Sequence, residues 1–370
     1  MFELKITTKN LLSHLYLSDL VCQQDLSDFT LNGNILRSVK KLVNAQTSSD
    51  SSGLISSSLG SNTSKLVIFT QGIHLQQLTQ TTQALADCLD INFYSTVKVE
   101  GVSGFAVCAH VSLKARDNLN EQLENVAKRF CVELCLVDKT PSLAKPGLLL
   151  TDMDSTVIAV ECIDEIAILA GVGEQVSAVT AQAMQGKLDF SQSLRTRVAC
   201  LVNADESILQ QVRDALPLMP GVMNLVMLLK SYDWKVAIAS GGFSYFADYL
   251  RDRLSLDAAV ANDLVIRGGK LTGEVQGVIV DADVKAQTLK SLAERWTIPA
   301  SQTIAMGDGA NDLVMMNAAA LGVACHAKPI VRQHADIAIR RSDLDSLLWV
   351  LKAGQNTATS DEKTFVLDAQ

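Results

Sequence analysis

Apolar positions along this chain fall into two successive rhythms. Between Leu66 and Val137 they mark a short α+β unit. Leu66 to Phe69 is strand-like, Ile73 to Leu89 carries apolar residues at helical spacing, and Phe93 to Val99 alternates. Gly104 to Val111 is a second β-rich run, Leu119 to Phe130 is helical again, and Val132 to Val137 closes the order β-α-β-β-α-β. From Leu148 onward, short apolar runs alternate with helical ones. The runs Leu148 to Leu150, Lys235 to Ala239, Thr303 to Met306, Leu321 to Ala324 and Asp336 to Ile339 predict a doubly wound parallel sheet in an α/β domain.

One interval breaks the second rhythm. The stretch between the first two of these strands is mostly helical and far longer than one crossover helix requires. Its signals are Glu161 to Ala170, closed by Gly171, then Asp189 to Val202 and Glu206 to Ala215. Pro220 opens the crossover helix proper, which runs to Tyr232. The surplus helices have no place in the sheet and predict a cap over its carboxyl edge. The resulting division is a segment with a Ser-rich linker (1–64), the βαββαβ domain (65–138), a second linker (139–147), the α/β core (148–157 and 217–350), the helical cap (158–216) and a C-terminal tail (351–370). Residues 47–64 read as a loop because serine, glycine, asparagine and threonine dominate them. Residues 1–46 show little periodicity.

Charge narrows the partners. A net charge of −8 argues against nucleic acid or an acidic membrane as the main partner. No apolar run reaches the roughly 20 residues that cross a bilayer, and the N-terminus lacks the features of a signal peptide, so a cytoplasmic location is expected. The eight cysteines are scattered without a Cys-x-x-Cys pair. Cys131 and Cys135 lie four apart with no histidine nearby to complete a zinc set, so core thiols are expected.

The chemistry collects at strand ends. The first strand ends at Asp152 and Asp154, the second at Ser240-Gly241-Gly242, and the third in Gly307-Asp308-Gly309-Ala310-Asn311-Asp312. Asp283-Val-Lys285 opens a helix between the last two. Parallel α/β sheets bind ligands just beyond the carboxyl ends of their strands. Several acids, a hydroxyl, glycine amides and one lysine gathered there fit phosphate chemistry on Mg²⁺, which prefers oxygen ligands. Ser240 and the following amides can donate to phosphate oxygens, and Lys285 supplies a positive charge. One carboxylate can attack phosphorus while its neighbour two residues on acts as acid and base. The Gly307 run is not a dinucleotide fingerprint, because position 312 is Asp rather than Gly.

Asp152-Met-Asp154-Ser-Thr156, Ser240-Gly-Gly, Lys285 and Gly307-Asp-Gly-Ala-Asn-Asp312 resemble the four motifs of haloacid-dehalogenase-type (HAD-like) phosphatases, whose core is a Rossmann-type sheet. Glu161-Cys-Ile-Asp-Glu165 and Phe190-Ser-Gln-Ser-Leu-Arg-Thr-Arg197 are similar to the phosphoserine phosphatase branch. The resemblance implies Asp152 as nucleophile and Asp154 as proton donor. It implies Mg²⁺ on the side chains of Asp152 and Asp308 and the main-chain carbonyl of Asp154, with Asp312 supporting the metal shell. Substrate-binding positions fall on Glu161, Arg197, Ser240, Gly241, Lys285 and Asn311. The reaction implied is hydrolysis of O-phospho-L-serine through an aspartyl-phosphate, the last step of serine biosynthesis.

The cap residues bear on the leaving group directly. Leu194 and Leu201 flank Arg197 at i−3 and i+4, which puts its guanidinium near the inward face, where it suits a carboxylate. Glu161 facing the same pocket would pair with an ammonium; otherwise it is a surface residue opening a helix. A receiver domain of a response regulator shares the acids, Mg²⁺ and Lys, yet lacks the second acid and the insertion. Phosphothreonine or a phosphosugar remains the other substrate reading. The N-terminal βαββαβ unit is similar in pattern to ferredoxin-like (ACT-like) domains; it stands either as a serine-responsive module or as a packing module that forms a homodimer.

Overall fold

A computed structural model describes residues 64–114 and 118–355, together with the backbone of three strands further toward the N-terminus. The expected Ser-rich linker, apart from Ser64, lies outside the described residues, as do residues 356–370 of the expected tail. The chain divides into two compact units, one formed by Met1–Ser142 with Asp345–Gln370 and the other by Leu143–Leu344.

The first unit holds a seven-stranded antiparallel sheet. In chain order its elements are β1 (Glu3–Lys5), β2 (Asp28–Asn32), β3 (Ile35–Ser38), β4 (Ser64–Phe69), α1 (Leu75–Ala84), β5 (Leu89–Val97), β6 (Ala106–Leu113), α2 (Leu119–Phe130) and β7 (Glu133–Val137). β4 lies between β6 and β7, and β5 pairs with the outer side of β6. This is the order of a split βαββαβ unit, with its first and third strands in the centre. Alternation assigns the two faces. Leu66, Ile68, Val107, Ala109 and Val111 enter the core beneath α1 and α2 with Leu78, Leu123 and Val126. Lys65 and Val67, paired with His110 and Cys108, turn the other way.

A last helix covers that second face. Here the structure departs from the sequence reading, which closed the α/β core at residue 350. Asp345 onward joins the first unit because the helix Leu347–Gln355 is anchored there. Trp349 meets Phe69 edge to face at 5.6 Å, Lys65 Nζ donates to the Ala353 carbonyl at 2.8 Å, and Thr140 Oγ1 donates to Leu351 O at 3.2 Å. β1 to β3 were illegible in residues 1–46, since strands of three to five residues offer too few positions to show alternation.

The second unit is the expected HAD-like α/β fold. Its elements are β8 (Leu148–Thr151), α3 (Cys162–Leu169), α4 (Gly173–Met184), α5 (Phe190–Ala199), α6 (Ser207–Asp214), α7 (Val222–Ser231), β9 (Lys235–Phe243), α8 (Ser244–Arg253), β10 (Ala258–Arg267), β11 (Lys270–Gln276), α9 (Ala282–Arg295), β12 (Thr303–Gly307), α10 (Leu313–Ala318), β13 (Leu321–Cys325), α11 (Pro329–His334) and β14 (Ile337–Ile339). The helix Leu347–Gln355 of the first unit is then α12. The sheet order is β11-β10-β9-β8-β12-β13-β14, parallel except for the β10–β11 edge. Every residue of β8, β12 and β13 is buried, as a sheet covered on both faces requires.

From β8 the chain winds outward through β9 to β11, then crosses back and winds the other way from β12. The connections therefore diverge beside β8 and leave a crevice at its carboxyl end. Helices α3 to α6 are the insertion after the first strand. α4 went unread because only Val176 on it is buried, leaving no apolar stripe. No helix among the described residues is long and apolar enough to cross a membrane.

Candidate active site

Asp152 is the first residue beyond β8. Its N–H continues the ladder by donating to Met306 O at 2.9 Å, which fixes the carboxylate at the divergence of the sheet. Asp152 Oδ1 accepts from Met153 N–H at 2.8 Å, and Oδ2 lies 2.8 Å from Lys285 Nζ. Lys285 comes from α9, whose first turn is capped by Asp281 accepting from Val284 N–H at 3.0 Å. The lysine is fully buried and also bonds Asp312 Oδ1 at 2.7 Å. Burial alone would lower its pKa, but the charges of Asp152 and Asp312 outweigh burial and hold it above the ordinary lysine value. Asp312 Oδ2 accepts from Gly309 N–H at 2.9 Å. Burial and the charge of Asp152 push the Asp312 carboxyl up to about 7, against the pull of Lys285.

Asp154 has a different setting. Its Oδ1 accepts from Cys162 N–H at 3.1 Å, at the start of α3. Burial, then Glu161, then Asp152 push its carboxyl up to about 7. A group near neutrality both gives and takes a proton readily. The glycines after Ser240 make room for it. A Cβ at Gly242 would stand 2.6 Å from Asp154 Oδ2, and one at Gly241 would stand 2.5 Å from Phe190 Cζ. The Ser-Gly-Gly run thus lets an acid and a cap side chain both approach the edge of β9. Ser240 is buried, and its Oγ accepts from Gly242 N–H at 2.9 Å.

Asp308 follows β12, the neighbour of β8. Thr156 Oγ1 donates to its Oδ1 at 3.4 Å. Burial, then Asp152 and Glu161, raise its carboxyl to about 6, with Lys328 and Lys285 opposing. Asp152, Asp308 and Asp312 each bring a carboxylate oxygen within 4.8 Å of the others. Lys285 supplies one positive charge to this group of acids, whose carboxyls are raised by burial first and by the charge of Asp152 second. Hard oxygen donors in surplus of positive charge fit a divalent cation such as Mg²⁺.

These groups open into a cavity of about 170 Å³ lined by Asp152, Asp154, Glu161, Arg197, Ser240, Gly241, Asp308 and Asn311. The sequence-predicted residues converge there with two exceptions. Lys285 and Asp312 do not line the cavity; they are completely buried against its acids. Arg197 reaches it from α5, where Leu194 and Val198 are buried. Its Nε is buried and lacks a hydrogen-bond partner among the described residues. Glu161, the residue before α3, also lines it.

Sequence reasoning missed Ile163, Phe190, Leu194, Phe243, Gly309 and Lys328 in the lining, while Gly242, read there as an amide donor, lines it too. Phe190 had a usable signal. Asp189 accepts from Gln192 N–H at 2.7 Å and Gln192 returns a bond to Asp189 N–H at 3.2 Å, a capping box that pins the phenylalanine at the start of α5. Lys328 had none, being an exposed lysine before the short α11.

Known proteins resemble this chain in sequence and fold. The family model of haloacid dehalogenase-like hydrolases matches residues 147–320. A phosphoserine phosphatase of Haemophilus influenzae is 57% identical over 222 residues, covering 60% of this chain and 71% of that protein. The unliganded crystal structure of a probable phosphoserine phosphatase from Vibrio cholerae superposes with a TM-score of 0.68 at 45% identity, over 80% of this chain and 88% of that one. A substrate-bound phosphoserine phosphatase complex gives a TM-score of 0.54 at 39% identity, over 56% of this chain and 99% of that one. The acids at the divergence of the sheet, the cap that closes their cavity and these likenesses lead to one assignment: the chain belongs to the phosphoserine phosphatase family of HAD-like hydrolases.

Proposed function

We propose that this chain hydrolyses O-phospho-L-serine to L-serine and phosphate in a Mg²⁺-dependent reaction through an aspartyl-phosphate, which would make it the closing step of serine biosynthesis. The observation that carries the substrate is the pairing of Glu161 and Arg197 in the cavity that also holds Asp152 and Asp154. A carboxylate and a guanidinium with a buried, unsatisfied Nε suit the ammonium and carboxylate of an amino acid.

Asp152 attacks phosphorus in line and becomes the phosphorylated residue. Asp154 gives its proton to the departing serine oxygen, and its pKa of about 7 leaves it partly protonated for that step. The same carboxylate then takes a proton from water as the water oxygen attacks phosphorus, releasing phosphate and restoring Asp152. Ser240, the Gly241 amide and Asn311 hold phosphoryl oxygens. Lys285 acts from behind, orienting Asp152 through a contact of 2.8 Å. A divalent cation held by the Asp152 and Asp308 carboxylates and the Asp154 main-chain carbonyl would supply positive charge beside the phosphoryl group, with Asp312 supporting it. The cap excludes bulk water during the first transfer.

Arg197→Ala tests the substrate. Steady-state kinetics are expected to show kcat/KM for O-phosphoserine falling by about 100-fold, as for loss of a charged hydrogen-bonding partner, with a much smaller fall for an aryl phosphate. Equal losses on both would remove amino-acid recognition from Arg197.

A further inference from the structure

We infer that Ser155 is a positioning residue that sets the Glu161 carboxylate for the substrate ammonium; this rests on the reading of Glu161 given above. Three observations converge on it.

Ser155 has a backbone φ of 56°, in the left-handed region that non-glycine residues seldom adopt. Cys131, Asp233, Ser255 and Thr297 share that conformation after helices, where such a turn is common, and Asn118, Asn203 and His326 are of residue types that enter it more readily. Ser155 instead directly follows Asp154, in the loop that leaves β8. That loop doubles back: Ser155 N–H donates to Val160 O at 3.3 Å, and Asp154 bridges Ile158. The return brings Ser155 Oγ within 2.8 Å of Glu161 Oε1, to which it donates.

Glu161 is also the N-cap of α3, yet its side chain makes no capping bond. The cap position would ordinarily draw the carboxylate onto the first amides of the helix. Here Glu161 lines the cavity, with its Oε1 held by Ser155. An exposed glutamate has many rotamers, and binding a ligand with it costs their entropy. A hydroxyl that selects one rotamer beforehand removes that cost. Glycine would suit the backbone better and would lack the hydroxyl. The strained conformation is retained where a side chain is needed, which is the direction in which such an outlier points to function.

The test uses the full chain with Mg²⁺ and the variants Ser155→Gly, Ser155→Ala and Ser155→Asn. Steady-state kinetics are measured on O-phosphoserine and on 4-nitrophenyl phosphate, which has no ammonium. Gly and Ala are expected to raise KM for O-phosphoserine about tenfold, the scale of one exposed hydrogen bond to a charged group, with kcat/KM on the aryl phosphate changed less than about twofold. Asn, which tolerates a left-handed φ and carries an N–H donor, is expected to recover most of the loss. Unchanged KM in Gly and Ala, or equal losses on both substrates, would overturn the role of Ser155. A wild-type enzyme with no preference for O-phosphoserine would overturn the substrate reading and this inference together.

Discussion

Each unit is built on a seven-stranded sheet and each buries a lysine against it, with opposite consequences. Lys285, in the parallel unit, lies between Asp152 and Asp312, and those carboxylates hold it charged. Lys65, in the antiparallel unit, donates to the carbonyl of Ala353, and burial lowers its pKa against the opposing pull of Cys108. Sheet polarity accounts for the difference. Parallel strands end on the same edge, so β8, β9 and β12 deliver their acids, hydroxyl and glycine amides to one place. Antiparallel strands end on alternate edges, and their polar side chains find partners locally across the ladder. Ser95 and His110 do so at 3.2 Å, and His110 stacks on Phe93 at 4.0 Å.

If convergence at one edge is what makes the second unit an enzyme, substitutions there should far outweigh equivalent ones in the first. Asp152→Asn is expected to lower turnover by about 10⁴-fold or more, as loss of a nucleophile does, and to abolish labelling of the protein by substrate phosphate. Retained hydrolysis by that variant would sink the assignment of Asp152. Gly242→Ala is expected to cost about 100-fold in kcat, because a methyl group 2.6 Å from Asp154 Oδ2 must displace the acid by a fraction of an ångström. Wild-type kcat in Gly242→Ala would show that Asp154 has room to move.

The two lysines give the direct contrast. Lys285→Met strands two buried carboxylates and is expected to cost about 3–5 kcal/mol in urea denaturation. Lys65→Met removes the donor to the Ala353 carbonyl, and a smaller loss of about 1–2 kcal/mol is expected. Similar losses at both sites would defeat the contrast. The smallest effect concerns His110, whose pKa burial, followed by Lys65, lowers from 6.5 to about 4. The folded unit therefore binds fewer protons than the unfolded chain between those values, and its stability declines as pH falls from 6.5 towards 4. His110→Gln should flatten that dependence, read from amide exchange along β6 in urea. A slope unchanged in the variant would assign it to other groups.

What the sequence disclosed follows the same division. Asp152, Asp154, Ser240 and Asp308 could be read because each terminates an apolar run, and a run that stops at an acid is a local signal. The placement of Lys285 could not. Nothing near it in sequence says that its ammonium turns into the protein to bind Asp152 and Asp312, since both partners arrive through the fold. The same holds for Gly242, whose need for a hydrogen in place of a side chain depends on Asp154 in another loop. α12 was misassigned for a related reason: its apolar residues fit either unit, and contacts such as those with Phe69, Thr140 and Lys65 decide between them. β1 to β3 and α4 were missed because they bring too few apolar positions to make a pattern.

The attachment of α12 also orders events as the chain is made. The face of the antiparallel sheet that carries Lys65 and Phe69 receives its covering helix only after the whole of Leu143–Leu344 has left the ribosome. The catalytic unit, with both of its ends drawn from contiguous chain, has every strand it needs by then. The N-terminal unit is therefore begun first and completed last. A chain cut short after Leu344 would carry a finished enzyme core beside an unfinished sheet, and stalled synthesis should reveal itself in the first unit before the second.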